Sequence, residues 1–587
     1  MEQYQSRNTF LVSRAFKGYV LASVLTSAAI QTASTFDAVI LAQCVGAEAV
    51  SASSIIMPVE IAFSCVGLLL AYGANAMVAR ALGRHDREEA SAVFSTTIAS
   101  ILIVGGFFCL LMYSFCPAIA RFLTDDETLY TLTYDYLSVY TLGAWLDMLA
   151  TAFCLFVATD GQPKFATQAA IIGVVVNIVS DIVTIGMLGW GVKGSAVGFL
   201  LQYAVCVVLL GFYFRSPKCS YSLRLPGRRL WQMMSQNMKE GLAVFINNIL
   251  IAASIFIINV ISYNALGEGG LFCWSVCLQV LMVAAVAINA VMEGLMAIGG
   301  VMVGEHDLRG LGILAKKSLP AICTLMLLLI VPMWIPDSCA TLFGADDPSM
   351  MDEVNRVLRI FSLMLIPFSL TLVLAAIYQV LELAKLNVVV TVGQLVVMVL
   401  TLWLLSAYAP DYFWWGFPLS AFLFVVGQFV NSYIAYLKTH GALSPLTLVP
   451  YSTGGRSLDC SVRYQSDDVF SVLHQLDDFL KQSGINPSST FKLNLCCEEL
   501  MTNISNHSSG RVTHHSFDLY AYVDDGTAYV TLKDAGRPFN PLQAGKMADS
   551  HIGQEGYQHL GLRLVNSIID DISYQYMYGL NVVFLKA

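Results

Sequence analysis

Along the first three quarters of the chain, long apolar runs alternate with short polar breaks. A helical crossing of a hydrocarbon layer needs about 20 apolar residues, and the pattern predicts spans near residues 17–41, 50–72, 92–116, 133–158, 166–188, 193–214, 241–264, 271–296, 317–336, 357–382, 387–406 and 413–437. The fourth is diluted by Tyr134, Asp135 and Asp147. The pattern then changes abruptly. Gly441 to Gly455, with Pro445, Pro450 and a Ser-Thr-Gly-Gly run, predicts a linker. Beyond it the spacing predicts a strand over 458–464, helices over 467–483 and 489–507, and a hairpin of 517–523 with 527–533 turning at Asp525-Gly526. A helix over 560–569 and a last hairpin turning at 578–581 complete a soluble α+β sandwich.

The membrane pattern occurs twice. GANAMVARALGRHD at Gly73–Asp86 is matched by GLMAIGGVMVGEHD at Gly294–Asp307, an offset of 221 residues. Phe122, Asp125 and Asp126 fall on Phe343, Asp346 and Asp347 at the same offset, Lys164 on Lys385, and Gly46 on Gly267. A register held this far indicates two copies of one unit. The expected fold is therefore a polytopic all-α membrane protein, about twelve transmembrane helices in two six-helix lobes, with a C-terminal soluble α+β domain. The expected boundaries are residues 1–215 for the first lobe, 216–240 for a basic inter-lobe linker, 241–440 for the second lobe, 441–456 for a linker and 457–587 for the soluble domain. Six spans per copy return the chain to the side it started from, so the halves relate by an axis along the membrane normal, as in parallel-repeat transporters.

Composition agrees. Hydrophobic residues make up 56% of the chain and charged residues only 12%, about half the charged fraction of a soluble domain. The net charge of −9 says little, but the placing of Lys and Arg is informative. They gather before the first span (Arg7, Arg14, Lys17) and after the second, sixth and eighth, while the alternate loops are acidic. The positive-inside rule then puts both termini in the cytoplasm of a multi-pass plasma-membrane protein. Met1–Lys17 does not resemble a cleavable signal, so the first span is expected to remain in the membrane. The fourteen cysteines show no metal-ligand spacing and read as small buried residues. The expected partners are the bilayer and a small molecule, and no nucleic acid.

Carboxylates inside a membrane are costly and default to functional candidates. Asp37 lies in the first span and Asp181 in the fifth, with Asn177 one turn before Asp181 on the same helical face. Such a set suits binding of a proton or a monovalent cation; the plainer reading is an Asp satisfied by neighbouring hydroxyls. Glu60, Asp147, Glu240, Glu293 and Glu382 also fall in or near spans.

Residues 10–440 resemble the multidrug and toxic compound extrusion (MATE) family. The resemblance rests on FDAVILAQCVGAEAVSA, on the GANAMVARALGRHD stretch and its second copy, on ATDGQPKFA, and on NIVSDIVTIGMLGWGVKGSAVG. It implies export of organic cations or other amphipathic compounds in exchange for protons or sodium by rocking of two lobes, with Asp37, Asn177 and Asp181 matching positions that bind the coupling cation. The fourth span reads LGAWLDM where the family usually places a proline, whereas Pro367 is present in the second half.

The soluble tail carries three short boxes. Glu499, Asn503 and His507 recur every four residues on a predicted helix. Asp534-Ala-Gly536-Arg-Pro-Phe leaves a strand, and Gly553-Gln-Glu-Gly556 leads to a Leu-Gly561-Leu helix start, where backbone amides favour phosphate. Residues 457–587 resemble the ATP-binding domain of the histidine kinase-like (GHKL) superfamily, most closely the serine-kinase anti-sigma factor branch. By that resemblance Asn503 holds Mg2+ through the nucleotide, Glu499 polarises the attacking hydroxyl as the catalytic residue, Asp534 reads adenine, His507 lies at the ATP site, and Gly536, Gly556 and Gly561 shape the nucleotide lid. His559 stands where a glycine usually precedes Leu-Gly-Leu.

No G-x-x-x-x-G-K-[ST] loop is present, so an ion gradient is the expected energy source. The expected function is a cation-coupled antiporter whose ATP-binding domain regulates it, through nucleotide or a cytoplasmic regulator protein. The alternative is a membrane-tethered serine kinase or anti-sigma switch with the transporter-like part as its sensor. Either way the enzymatic activity of the tail, as kinase or ATPase, is left open.

Overall fold

The computed structural model describes residues 7–217, 219–223, 230–335, 348–451, 456–508, 516–547, 560–569 and 571–587. Among them, twelve helices are long and apolar enough to cross a membrane. They are α1 (Phe10–Cys44), α2 (Ile55–Gly83), α3 (Arg87–Ser114), α4 (Glu127–Thr159), α5 (Pro163–Met187) and α6 (Val192–Tyr213) in the first lobe. The second lobe has α7 (Val244–Gly267), α8 (Gly269–Gly304), α9 (Leu308–Met333), α10 (Met351–Val380), α11 (Lys385–Tyr408) and α12 (Pro410–Lys438). All twelve predicted spans are present, and most run longer than the apolar core alone, as helices that emerge from a bilayer do. One boundary differs from expectation. Helix begins at Leu230 and runs on into α7 and α8 with a break at Gly267, so the second half of the predicted linker is helical.

The duplication is visible in the backbone as well as in the spelling. His85 and His306, at equivalent places after α2 and α8, both take the left-handed conformation, with φ of 57° and 58°. Gly46 and Gly267 both have positive φ at the turn between the first two spans of each copy. Asp86 and Asp307 both cap the following helix, accepting from Glu89 N at 2.9 Å and Gly310 N at 2.8 Å. Such a cap contributes about 1 kcal/mol. The repeat positions Phe343, Asp346 and Asp347 lie outside the described residues.

The lobes meet along α2 and α8, and at one end they touch glycine to glycine. A Cβ on Gly83 would lie 2.0 Å from the Val301 carbonyl oxygen, and one on Gly304 would lie 2.2 Å from that of Arg80. Only hydrogen fits there. Arg80 adds ion pairs at the same end, to Glu240 at 3.3 Å and Glu382 at 3.0 Å. The lobes are therefore closed against each other where the two His-Asp turns emerge.

The tail forms a five-stranded antiparallel sheet in the order β1-β2-β3-β5-β4. Its strands are β1 (Arg456–Arg463), β2 (Ser516–Asp524), β3 (Thr527–Asp534), β4 (Asp571–Met577) and β5 (Leu580–Lys586). Helices α13 (Ser466–Gln482), α14 (Pro487–Ser508), α15 (Pro541–Met547) and α16 (Leu560–Ile568) accompany them. The β2–β3 turn has Asp525 and Gly526 at φ 45° and 75°, the geometry that the Asp-Gly pair predicts. One sheet face packs α13, α14 and α16 around Leu458, Cys460, Phe517, Val530, Val583 and Leu585. The other face lies on the closed end of the two lobes.

Candidate transport and nucleotide sites

In the first lobe Asp181, Asn177 and Asp37 are buried, exposed by 0%, 0% and 6%. Helix α6 makes room for them: a Cβ on Gly198 would lie 2.0 Å from Asp181 Oδ1 and 2.9 Å from Asn177 Nδ2. Ser195, one turn earlier on α6, lies beside Asp37. The peptide after Asp181 leaves α-helical geometry for a π-helical turn, Ile182–Met187, a distortion that often accompanies functional residues. Among the described residues both oxygens of Asp181, both amide atoms of Asn177 and Ser180 Oγ have no hydrogen-bond partner, while the Ser195 hydroxyl faces Asp37. Buried polar atoms are nearly always paired, so this concentration is unusual for a packed interior.

The other intramembrane carboxylates divide. Glu240 and Glu382 are held by Arg80. Glu60 accepts from the Tyr136 hydroxyl, and Thr151 Oγ1 lies 3.5 Å from Asp147. Glu293 lines a cavity of about 180 Å³ together with Tyr19, Ser23, Tyr72, Thr167 and Gln202. Ser23 donates to one of its oxygens and Tyr72 to the other at 3.1 Å, and no cationic side chain pairs with it among the described residues. The volume is below the roughly 300–1,000 Å³ of a drug-sized site.

In the tail, Glu499 and Asn503 lie four residues apart on α14, as their spacing predicts. Gly561, in the first turn of α16, rests on the Glu499 carboxylate: a Cβ there would be 1.8 Å from Oε2. The glycine thus lets the Glu499 carboxylate pack directly against the start of α16. Asp534 closes β3, accepting from Gly536 N at 2.7 Å and from Asn581 Nδ2 at 3.1 Å. Burial raises its carboxyl above the usual range despite those bonds. The His507 side chain and Gly556 lie outside the described residues. Changing Gly561 to Ala is expected to leave thermal unfolding nearly unchanged, because the flexible Glu499 end can move aside. It is expected to weaken binding of a fluorescent ATP analogue by about tenfold, the effect of moving the Glu499 carboxylate out of its place beside Asn503.

The sheet face away from these helices touches both lobes. Arg7, ahead of α1, is buried between Asp307 at 2.6 Å and Asp518 at 3.0 Å. Burial alone would raise the Asp307 carboxyl, but Arg7 and Lys533 outweigh it and hold it below the usual range. Lys533 pairs with Glu305, and the Tyr520 hydroxyl donates to the His306 carbonyl at 2.6 Å. On the first lobe, Tyr578 N donates to Gly161 O at 3.0 Å and its hydroxyl to Thr159 O at 2.8 Å. Gln575 donates to Asp160 at 3.1 Å, and burial pushes the Asp160 carboxyl up to about 6.

Residues 22–183 match the MatE family, and residues 463–586 match the histidine kinase-like ATPase domain family. The chain carries a MatE domain joined to a histidine kinase-like ATPase domain. Among curated proteins it is 24% identical over 211 residues to the multidrug export protein MepA of Staphylococcus haemolyticus (strain JCSC1435), covering 36% of this chain and 47% of that one. It is 26% identical over 214 residues to MepA of Staphylococcus aureus (strain MRSA252), with the same coverage of 36% and 47%. The chain thus spans about half the length of the curated relatives it matches.

Two solved structures extend the likeness to both MATE lobes. A MATE crystal structure in complex with MaL6 superimposes with a TM-score of 0.67 at 19% identity, over 73% of this chain and 97% of that one. A MOP superfamily transporter from Pyrococcus furiosus Vc1 (DSM3638) gives 0.67 at 19% identity, over 74% of this chain and all of that one. At this identity the likeness shows the fold, and the membrane part has the MATE fold.

Sequence reasoning reached Asp37, Asn177 and Asp181, and the structure brings them together. It missed Ser195 and Gly198, whose Ser-x-x-Gly spacing on α6 was quoted only as part of a family stretch. It also missed the face of the ATPase domain that meets the MATE lobes. Arg7 read there as an orientation signal and His85 and His306 as repeat landmarks.

Proposed function

We propose that the chain is a cation-coupled exporter of cationic or amphipathic small molecules, regulated by its ATP-binding domain. The coupling ion, a proton or sodium, binds at Asp37, Asn177 and Asp181, and both termini face the cytoplasm. The observation that carries this reading is the group of unpartnered buried polar atoms of Asn177, Ser180 and Asp181 on α5, packed beside Asp37 of α1 and Gly198 of α6. A proton or a partly dehydrated cation would satisfy those atoms, and its release would leave them costly again, which ties occupancy to conformation. The first-lobe cavity that Glu293 of the second lobe reaches supplies a carboxyl group and aromatic walls, chemistry that suits an organic cation. The names of the MepA relatives support export as the activity.

The ATPase domain fits a nucleotide: Asp534 for the adenine amino group, Gly561 for the phosphates, and Asn503 for Mg2+ carried in with them. Bound Mg2+ would neutralise phosphate charge. The fit rests on the buried Asp534 acceptor and on the Glu499 carboxylate packed against Gly561. The close packing of this domain on both lobes supports action on the transporter itself rather than use of the lobes as a sensor for a tethered kinase.

Purified full-length protein in liposomes tests the reading. Dye movement driven by a proton or sodium gradient, with and without ATP on the tail side, is the measurement. Asn503→Ala is expected to abolish ATP binding while gradient-driven efflux persists. Efflux that vanishes in this variant and ignores the gradient would defeat the proposal.

A further inference from the structure

Each MATE lobe contributes the same turn to the ATPase domain. His85 of the first lobe stacks on Phe584 with ring centres 3.7 Å apart, and His306 of the second stacks on Tyr522 at 4.6 Å. Between those contacts the sheet is itself bridged by rings, Tyr522 to Tyr529 at 5.3 Å and Tyr529 to Phe584 at 6.1 Å. One ladder of five rings therefore runs from lobe to lobe across β2, β3 and β5. The sheet fixes its length. Strands β2 and β5 flank β3, which sets them about 10 Å apart, two strand spacings.

The ladder does not stand alone. Lys533 and Tyr520 hold the second lobe through Glu305 and the His306 carbonyl, while Tyr578 and Gln575 hold the first through Gly161, Thr159 and Asp160. Arg87 Nη2 donates to the Tyr574 carbonyl at 3.2 Å. Gly161, at φ 88°, comes so close that a Cβ would be 2.4 Å from Met577 Cα. This is the end at which Gly83 and Gly304 bring the lobes into backbone contact.

We infer that the outer face of the ATPase sheet is a clamp on both MATE lobes, holding them closed at this end, so that opening the end requires the domain to lift off at least one lobe. A rocking motion that parts Gly83 from Gly304 must also part His85 from His306. A hydrogen-bonded sheet of fixed width cannot stretch to follow both. The nucleotide face is the opposite one: Lys533 grips Glu305 while the next residue, Asp534, points to the adenine side, because successive strand residues face opposite ways. Nucleotide can thus reach its pocket with the clamp in place. The inference deepens the proposed function, since the closed end matters for export only if the lobes rock, but the clamp itself is a statement about distances.

The test uses full-length protein in liposomes, with spin labels introduced as unnatural side chains so that the native cysteines stay. Labels at the exposed positions Glu88 and Lys317 report the lobe-to-lobe distance. His85→Ala with His306→Ala is expected to raise the population of longer distances about tenfold, the combined effect of losing two ring contacts, and Lys533→Met is expected to raise it at least as much by leaving the buried Glu305 without its cation. Retained binding of an ATP analogue shows that the domain stays folded. Distance distributions that stay unchanged in both variants would overturn the clamp and leave passive packing.

A second arm leaves the interface intact. Label pairs Glu88 with Asp525 and Lys317 with Asp525 report lift-off from the first and the second lobe while the ion gradient is reversed. The clamp requires the long population of at least one of these two pairs to rise together with the long lobe-to-lobe population whenever opening occurs. Opened lobes under a domain that still holds both would sink it. Neither arm measures efflux, so failed dye export would count against the exporter reading and leave the clamp standing.

Discussion

Replacing Arg7 by methionine is expected to weaken docking of the ATPase domain by about 3–5 kcal/mol, the usual cost of removing one partner from a buried ion network. The guanidinium sits between Asp307 and Asp518, with Asp459 3.9 Å away, and all four side chains are nearly inaccessible. Without it, Asp518 keeps the Ser461 hydroxyl and Asp307 keeps Lys533 at 4.0 Å. Neither contact compensates two carboxylates in a site that burial has dried. Hydrogen exchange on full-length protein gives the readout. The amides at the start of α9 and the Arg7-facing edge strand β1 are expected to lose protection, while those of α14 keep theirs. Pairing the change with Asp518→Asn removes one of the stranded charges and is expected to restore part of the loss. Unaltered protection at β1 and α9 in the single variant would mean that the network contributes little to docking.

Asp181→Asn is expected to reduce gradient-driven efflux to the level of empty liposomes. The amide keeps the size of the carboxylate and fits the same space against Gly198, so the helices stay packed. What goes is the charge, and with it the capacity to take up and release a proton or to hold a sodium ion beside Asp37. A variant that still binds dye yet no longer moves it against a gradient is the expected signature. Persisting gradient-coupled efflux would exclude Asp181 from coupling, and the unpaired atoms around it would then need another explanation.

Some of this protein was written along one dimension. Apolar runs longer than any soluble helix requires, a repeat in constant register, and Asp-Gly between alternating strands depend on neighbours in sequence, and each appears where the pattern put it. The same holds for Asn177 with Asp181 and for Glu499 with Asn503, pairs brought together by one turn of one helix. Asp37 was found differently. A charge in an apolar run is conspicuous alone, but its companions Ser195 and Gly198 are ordinary residues that acquire meaning only when α1, α5 and α6 pack.

The division follows from what each level can encode. Periodicity and composition determined how many helices cross, that the membrane part is built twice, and that an α+β domain follows. Which face of that domain meets the lobes was decided by contacts hundreds of residues apart in sequence: Arg7 with Asp518, His85 with Phe584, Gly161 with Met577. A histidine after a helix has the same spelling whether it meets water or a tyrosine ring. Only the packing of two lobes beneath one sheet turns the repeated His-Asp turns into a pair of handles.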